Sequence, residues 1–507
     1  MKIITGKQMK EADRETVEKY NTPVISLMEN AALSMIPIIE KVMENYTRKN
    51  ILIFAGKGNN GGDGSALGRI LHNMGYNVVI IFLDKKNSLT GDALINYKRA
   101  DNVGIITEVN TLSKIKKQIE NANIVIDAIF GTGIKGEIKE PYKSIIEHIN
   151  KYSKYTISAD IPSGVNADTG EVTTTAVIAN CTISFACAKL GSLTREGSEY
   201  SGIIHVTDIG IHPDALNNIK TKYHYINRKE AKELLPKRKV RSNKGTFGKI
   251  SIIAGQISMI GAAFFASKSA YKIGAGVVHT YTSKEGIHPL QTLIPEAIIH
   301  PMEKEYIIEN FQKITHSNAI IIGPGLGVNP YNKEILVKIL TEAISPVVID
   351  ADGINNLVEI KDSLKNAKSL PVITPHPGEM SRLIGKTIDE ILKNPIEIAS
   401  NFAKEYNCIV LLKDFRTIIA HPNGTIHINT TGSNALAKAG SGDVLSGIIG
   451  GLIAQGCPSY EASILGAYIH GLSGEYAAKD LTNYSLLTRD IIDYIPMTLK
   501  YILNDNS

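Results

Sequence analysis

Tryptophan is absent from this 507-residue chain, and aromatic residues of all kinds make up only 6% of it. With 43 glycines beside that absence, the balance leans toward an α/β enzyme rich in backbone-lined loops. Cysteine is scarce as well: Cys181, Cys187, Cys408 and Cys457 complete the set, none of them in a CxxC pair. Their spacings suit neither a zinc site nor a disulfide framework, and a reducing compartment is the simplest setting. Long hydrophobic runs are missing. The longest near-apolar stretch, VLSGIIGGLIAQG from Val444, is shorter than the roughly 18–20 residues of a membrane span. The opening MKIITGKQMKEADRETVEKY has no apolar core of the kind a secretory signal carries. A cytoplasmic protein that meets no membrane is therefore expected. Charge of one sign is also lacking, since 55 Lys+Arg against 50 Asp+Glu leaves only +5. That excludes a wide basic field for gripping nucleic acid. At 43% hydrophobic and 21% charged residues, disorder of the whole chain is excluded too.

At roughly 100–200 residues per domain, the length predicts two to four domains. About Lys7 to Met43 reads as helix. Ile51–Gly56, Asn77–Leu83, Ile124–Gly133 and Tyr155–Gly164 then read as buried strands ending in loops, with CTISFACAK and GIIHVTDIG as two more. Unbroken apolar strands alternating with helices predict a doubly wound, Rossmann-like parallel sheet covered on both faces. The rhythm lapses after Gly210 into a polar stretch with a basic knot at Lys237, Arg238, Lys239, Arg241 and Lys244. Such a knot is ordinarily a solvated connector; its functional alternative is a phosphate-facing loop. The rhythm restarts at GKISIIAGQ, so the expected domains are 1–215 and 216–507, with no short-period repeat between them.

In the first half, GKGNNGGDG (Gly56 to Gly64) joins a strand to a helix. Glycines there permit a tight turn and bring backbone N–H groups toward a phosphate at the positive end of a helix. The asparagines and Asp63 add acceptors that a pyrophosphate does not need. Asp127 and Asp160 both end apolar strands, and ligands of open parallel sheets bind at those ends. With Asn60 and Ser163 they form a hard-oxygen set, suited to an alkali or alkaline-earth cation and unsuited to zinc. A strand-end Asp is ordinarily a helix cap, but three such loops aimed at one rim favour a site.

GKGNNGGDG, VIDAIFGTG and SADIPSGVNADTG, in this order, resemble the N-terminal epimerase domain of the bifunctional NAD(P)H-hydrate repair enzymes. The resemblance implies interconversion of the R and S forms of NADHX and NADPHX, the hydrated forms of the reduced nicotinamide cofactors. It also implies a potassium ion (K+) on Asn60, Asp127 and Ser163. Substrate would lie along Asn59, Asn60, Gly61, Gly62 and Asp63, and along Gly131, Thr132, Gly133, Ile134, Lys135, Gly136 and Glu137, with Tyr142 and Asp160 close by. Inverting a carbinolamine-type carbon needs a protonated hydroxyl to leave and water to return on the other face. A partly desolvated carboxyl does such work, and Asp160 is the expected general acid–base.

In the second half, AGSGDVLSG (Ala439 to Gly447) is the sharpest motif. Successive N–H groups at a helix start form an anion hole, and Asp443 just inside it can take a proton from an attacking hydroxyl. No Walker loop occurs, and the GxGD arrangement looks ribokinase-like. GPGLG, VVIDADGIN with Asp350 and Asp352, TPHPGEM with His376 and Glu379, and VLLKDFRTII with Lys413 accompany it. This set resembles the C-terminal, ADP-dependent dehydratase domain of the same family. It implies phosphorylation of the hydrate's C6 hydroxyl and expulsion of phosphate, with Mg2+ bridging the nucleotide phosphates. Ala262, Gly325, His376 and Asp443 would line the substrate site, and Lys413, Asp414, Phe415, Arg416, Thr417 and Gly442 would meet ADP. Where the family usually reads K-G-x-x-T, this chain reads KDFRT, bringing the Asp414 carboxylate near phosphate. A ribokinase-like vitamin kinase is the alternative enzyme, and a binding scaffold is the alternative role of the first domain. A homo-oligomer is expected.

Overall fold

Seven parallel strands build the sheet of the first unit. They are β1 (Asn50–Ala55), β2 (Asn77–Phe82), β3 (Ile106–Glu108), β4 (Ile124–Ala128), β5 (Thr156–Ala159), β6 (Cys181–Phe185) and β7 (Ile203–Thr207). This computed structural model describes residues 1–44, 46–108, 111–134 and 136–504. The chain divides into two units, Met1–Tyr223 and His224–Ser507. The first sheet has the order β3-β2-β1-β4-β5-β6-β7. The chain leaves β1 toward one edge and returns through β4 toward the other, so a crevice opens between their carboxyl ends. Apolar side chains on both faces pack beneath helices, among them Ile53, Leu67 and Ile126 on one side and Leu52, Val125 and Ile146 on the other.

The stretch read as one helix from Lys7 to Met43 is two, α1 (Gly6–Tyr20) and α2 (Val24–Met43). Asn21 takes the left-handed conformation at φ 54°, which caps α1, and Pro23 cannot continue it. Thr5 and Gln8 close a capping box at the start of α1. Helix α3 (Asn59–Asn73) leaves β1 directly through the glycine turn. Its Gly64 and Gly68 press onto the sheet, where a Cβ would stand 2.6 Å from Ala128 Cβ and 2.6 Å from Ile80 Cδ1.

Nine strands of the second unit are β8 (Lys249–Ile253), β9 (Val277–Thr282), β10 (Ile298–Pro301), β11 (Ala319–Ile322), β12 (Val347–Ile349), β13 (Val372–Ile373), β14 (Ile409–Leu412), β15 (Ile418–Ala420) and β16 (Ile426–Ile428). Their order is β16-β15-β14-β13-β12-β11-β8-β9-β10. The switch point lies between β8 and β11. The expected parallel pattern gives way at one edge, where β14, β15 and β16 pair antiparallel. The HPNGT turn between β15 and β16 is far too short for a parallel crossover. Helices α4 (Ile260–Ile273), α5 (Pro377–Ile384), α6 (Ser441–Ala454) and α7 (Ser459–Ser485) matter most for the site. Glycines let α6 press against α4 and the sheet: a Cβ on Gly447 would stand 2.3 Å from the Ala266 carbonyl, and one on Gly450 would stand 2.7 Å from Ile321 Cδ1. Among the described residues, no helix is long and apolar enough to cross a membrane.

Candidate functional site

The first unit gathers its polar groups where the β1–α3 turn meets the end of β4. A Cβ on Gly56 would lie 2.2 Å from the Ile129 carbonyl, and one on Gly61 would lie 1.8 Å from the Gly56 carbonyl. Only glycine allows so close a backbone approach. Asn60 is thereby buried. Its Nδ2 donates to the Phe130 carbonyl at 3.0 Å, while its Oδ1 is buried without a hydrogen-bond partner among the described residues. Asp127, fully buried at the end of β4, accepts at Oδ2 from Ser163 N (2.8 Å) and Ser158 Oγ (2.8 Å) and at Oδ1 from Ser163 Oγ and Ile129 N (3.2 Å). Burial raises its pKa against those hydrogen bonds, led by the one from Ser163. Ser163 Oγ also accepts from Phe130 N at 2.8 Å. Asn60 and Ser163 thus both bond to the Phe130 backbone and Ser163 bonds to Asp127, so amide, hydroxyl and carboxylate oxygens gather past the end of β4. That donor set fits a hard monovalent cation. No group of three or more His, Cys, Asp or Glu that could hold a metal occurs among the described residues.

Asp160 follows β5 in the left-handed region at φ 64°. Its Oδ1 accepts from Phe185 N at 3.1 Å and from the Lys189 ammonium. Lys189 is fully buried and also donates to the Phe185 carbonyl at 2.7 Å. Asp63 and Asp13 join this pair electrostatically. Burial, then repulsion by Asp160 and Asp13, holds the Asp63 carboxyl well above the usual range. Burial pushes Asp13 up to about 6, with Lys189 pulling back and Asp160 adding to the rise. A cavity of about 330 Å³ is lined by Asp13, Asn59 and Asp63 over an apolar floor of Leu27, Met28 and Ile209. Lys189 and Asp13 are absent from the sequence reading. Each left a signal: Lys189 is a cation directly after the apolar run CTISFACA, and Asp13 adjoins the stripe of Met9, Ala12 and Thr16.

The second expected substrate segment is brought near the first. Gly131 adjoins Asn60 and Thr132 adjoins Gly6, while Gly133 faces the Lys10 ammonium. Ile134 packs into the core and its N–H donates to the Gly131 carbonyl at 3.4 Å. The Gly136 carbonyl accepts from Thr173 at 2.9 Å. Glu137 is exposed, and Lys135 lies outside the described residues. Tyr142 donates to Asp84 Oδ1 at 2.6 Å, and the other Asp84 oxygen accepts from Lys57 N at 3.0 Å. Burial and Asp84 raise the Tyr142 pKa. Gly62 leaves no room for a Cβ beside Met28 Sδ, which would stand 2.6 Å away.

The second unit places its charges at the ends of β12 and β14 and the starts of α5 and α6. Lys413 Nζ lies 2.8 Å from Asp350 Oδ1 and 3.9 Å from Glu379 Oε2. Ser446 Oγ donates to Asp350 Oδ2 at 2.6 Å. Burial opposes the charge on Asp350, but Lys413 and the hydrogen bonds outweigh it and hold the carboxyl below the usual range. Burial likewise pulls Lys413 down, and Asp350 and Glu379 together more than reverse that. Asp443 sits in the first turn of α6, one turn from Ser446. Burial and the nearby Asp350 push it up to about 7. His376 caps α5, its Nδ1 accepting from Gly378 N (3.0 Å) and Glu379 N (3.4 Å). Burial, then Lys413 and Arg382, lowers its pKa.

A cavity of about 700 Å³ collects His376, Lys413, Asp414, Phe415, Thr417, Gly442 and Asp443. Arg416 is not among its lining. The guanidinium is buried and donates to the Thr430 carbonyl at 2.7 Å. Ala262 and Gly325 lie together elsewhere, in the first turn of α4 and just past the end of β11, where a Cβ on Gly325 would stand 3.0 Å from Ala262 Cβ. Asp352 accepts from Gly327 N at 2.8 Å beside them and acts electrostatically on Asp443. His470 is a further polar wall that the sequence reading passes over, since AYIHG reads as plain apolar helix. Its Nε2 lies 3.1 Å from Ser441 Oγ, and burial with Lys413 pushes it down to about 4.

The family model for the YjeF-related protein N-terminus matches residues 24–191, and that for NAD(P)H-hydrate dehydratase matches residues 250–497. The chain is 34% identical to the bifunctional NAD(P)H-hydrate repair enzyme of Moorella thermoacetica over 99% of this chain and 97% of that protein. It is 32% identical to the enzyme of the same name from Thermofilum pendens, over 100% of this chain and 97% of that one. Among solved structures, the ADP/ATP-dependent NAD(P)H-hydrate dehydratase from Bacillus subtilis, co-crystallised with ATP and Mg2+, is 28% identical with a TM-score of 0.48. That match covers 55% of this chain and 98% of the other.

Proposed function

The chain belongs to the family of bifunctional NAD(P)H-hydrate repair enzymes, and from that premise we propose how its two units divide the repair. The unit Met1–Tyr223 epimerises the R and S forms of NADHX and NADPHX. The unit His224–Ser507 dehydrates the S form at the expense of ADP, releasing AMP and phosphate and restoring the reduced cofactor.

In the first unit, Asn60, Asp127 and Ser163 are the residues that hold K+, which when bound supplies fixed positive charge for an anionic substrate. The orphaned Asn60 Oδ1 supports that assignment. The substrate lies along Asn59–Asp63 and Gly131–Glu137, and Asp160 exchanges protons with the hydroxyl-bearing carbon's substituents. The ion pair with Lys189 fixes the Asp160 carboxylate in place. In the second unit, Lys413, Asp414, Phe415, Thr417 and Gly442 meet ADP, with Mg2+ neutralising its phosphates. Asp443 takes the proton from the attacking hydroxyl, and the start of α6 stabilises the charge developing on the transferred phosphoryl group. Phosphate then leaves far more readily than hydroxide. Ala262, Gly325 and His376 position the hydrate. The four free, buried cysteines support a cytoplasmic location. A homo-oligomer is the expected assembly, which light scattering tests.

One observation carries the reading of the second unit: a base tuned to about pH 7, Asp443, stands at a glycine-built helix start that opens on the 700 Å³ cavity. The test is absorbance recovery of the reduced nicotinamide from an R/S hydrate mixture, with K+, Mg2+ and ADP or ATP in parallel. Full recovery with ADP is expected. Fast recovery that stops at the S fraction refutes the epimerase. Turnover of another small alcohol to a stable phosphoester, without recovery, replaces the repair reading with a vitamin kinase.

A further inference from the structure

We propose that Asp13 is a catalytic residue of the first unit, the acid that protonates the departing hydroxyl while Asp160 receives the proton of the returning water. This rests on the epimerase reading of that unit.

Gly6, Lys10 and Asp13 are spaced four and three residues apart and share one face of α1. Along that face, a Cβ on Gly6 would stand 3.1 Å from Thr132 Cβ, and Lys10 Nζ would stand 3.7 Å from a Cβ on Gly133. One turn on, Asp13 lines the 330 Å³ cavity with Asn59 and Asp63. The face therefore runs from one expected substrate segment to the other, and Asp13 is its only carboxyl there. Asp63 and Asn59 present the opposite wall from α3.

Charge decides which carboxyl works. Asp13, Asp63 and Asp160 act together on Lys189, which is already engaged with Asp160 and the Phe185 carbonyl. Arg14 and Glu18 also line the cavity, but both are exposed and offset one another. Full ionisation would leave two carboxylates of the cluster uncompensated, so protons are retained. Burial and the neighbouring Asp160 and Asp13 hold the Asp63 carboxyl well above its usual range and so favour its protonated form. Asp13, at about 6, gives up and regains a proton near neutrality, as an acid catalyst must.

The step balances. The Asp13 carboxylic acid gives its proton to the hydroxyl on C6, and the C6–O bond breaks with its electron pair leaving on water. The ring-nitrogen lone pair forms the C=N bond of the cationic intermediate. Water attacks the opposite face, its lone pair forms the new C6–O bond, and the nitrogen recovers its pair. Asp160 takes the proton, and exchange with solvent through the open cavity returns one to Asp13. The reverse epimerisation exchanges the two roles.

The test uses the full chain with an R/S hydrate mixture, ADP, Mg2+ and K+. Recovery is biphasic, the fast phase reporting dehydration of the S form and the slow phase epimerisation. Asp13→Asn is expected to slow the slow phase at least 100-fold and leave the fast phase unchanged. The slow-phase pH profile should lose the limb near pH 6 in Asp13→Asn and show it displaced in Asp13→Glu. A slow phase within threefold of wild type with an unaltered limb overturns the proposal. If melting shows that Asp13→Asn does not fold, Asp13→Glu decides: a displaced limb supports the role and an unmoved one refutes it. A wild-type chain without a slow phase above the uncatalysed rate sinks the epimerase reading itself, and the proposal with it.

Discussion

Asp443 and Lys413 carry opposite electrostatic problems at one cavity, and each makes a prediction. Asp443 is a carboxyl whose ionisation is resisted by burial and Asp350, so it becomes a base only as pH rises through about 7. The dehydratase kcat/KM should therefore rise with pH to a plateau above about 7, and Asp443→Asn should remove nearly all activity. A pH-independent rate from 5.5 to 8 would deny Asp443 the role of base. Lys413 stabilises Asp350, whose carboxyl lies below its usual range in the fold. That contribution is present above the unfolded carboxylate value and lost as pH falls through the folded one. Lys413→Met leaves Asp350 and Glu379 buried without their cation, and losses of about 3–5 kcal/mol are usual for such a change. Urea denaturation should show that loss at pH 7, and it should shrink toward pH 5 as the carboxyls take up protons. At this scale the sequence is legible for residues that end strands, such as Asp127, Asp160 and Asp350, because topology alone sends them to the crevice. It is opaque for Lys189, Asp13 and His470, whose roles depend on which helix or strand packs beside them.

Turns and helix starts were the most readable elements, because glycine there answers a geometric demand. Gly61→Ala illustrates the demand: the new Cβ would lie 1.8 Å from the Gly56 carbonyl and 2.7 Å from its carbon. Both obstacles are backbone, so the β1–α3 turn must open. A cost of roughly 2–4 kcal/mol follows, together with loss of the slow, epimerising phase. The fast phase should survive because its site lies wholly in the other unit. Loss of both phases at equal protein concentration would contradict this. Elements set by non-glycine signals were harder to place. The break at Asn21 falls between two helical stripes, Met9 to Val17 and Leu27 to Met35, that read together as one helix, and the antiparallel β15–β16 edge hides because its strands are only three residues each.

For the whole molecule, the order of the glycine motifs read correctly as one two-domain family, because both halves must match in sequence order along nearly the entire chain. The junction is less sharp: the strand rhythm lapses after Gly210 and the expected division stands at 215–216, whereas the units part at Tyr223 and His224. The polar stretch that follows Gly210 has no periodicity to mark where one core ends. Each unit nevertheless has its own apolar core and its own polar cavity. The two chemical steps are therefore separable by substitution. A chain carrying Asp160→Asn should recover only the S fraction, and a chain carrying Asp443→Asn should recover none. If the S hydrate leaves the first site freely, an equal mixture of the two variants should recover all of the hydrate, with an epimerising phase proportional to the Asp443→Asn chain. Recovery that halts at the S fraction in the mixture, while each intact unit remains active in its own assay, would mean that the hydrate passes only between units of one chain.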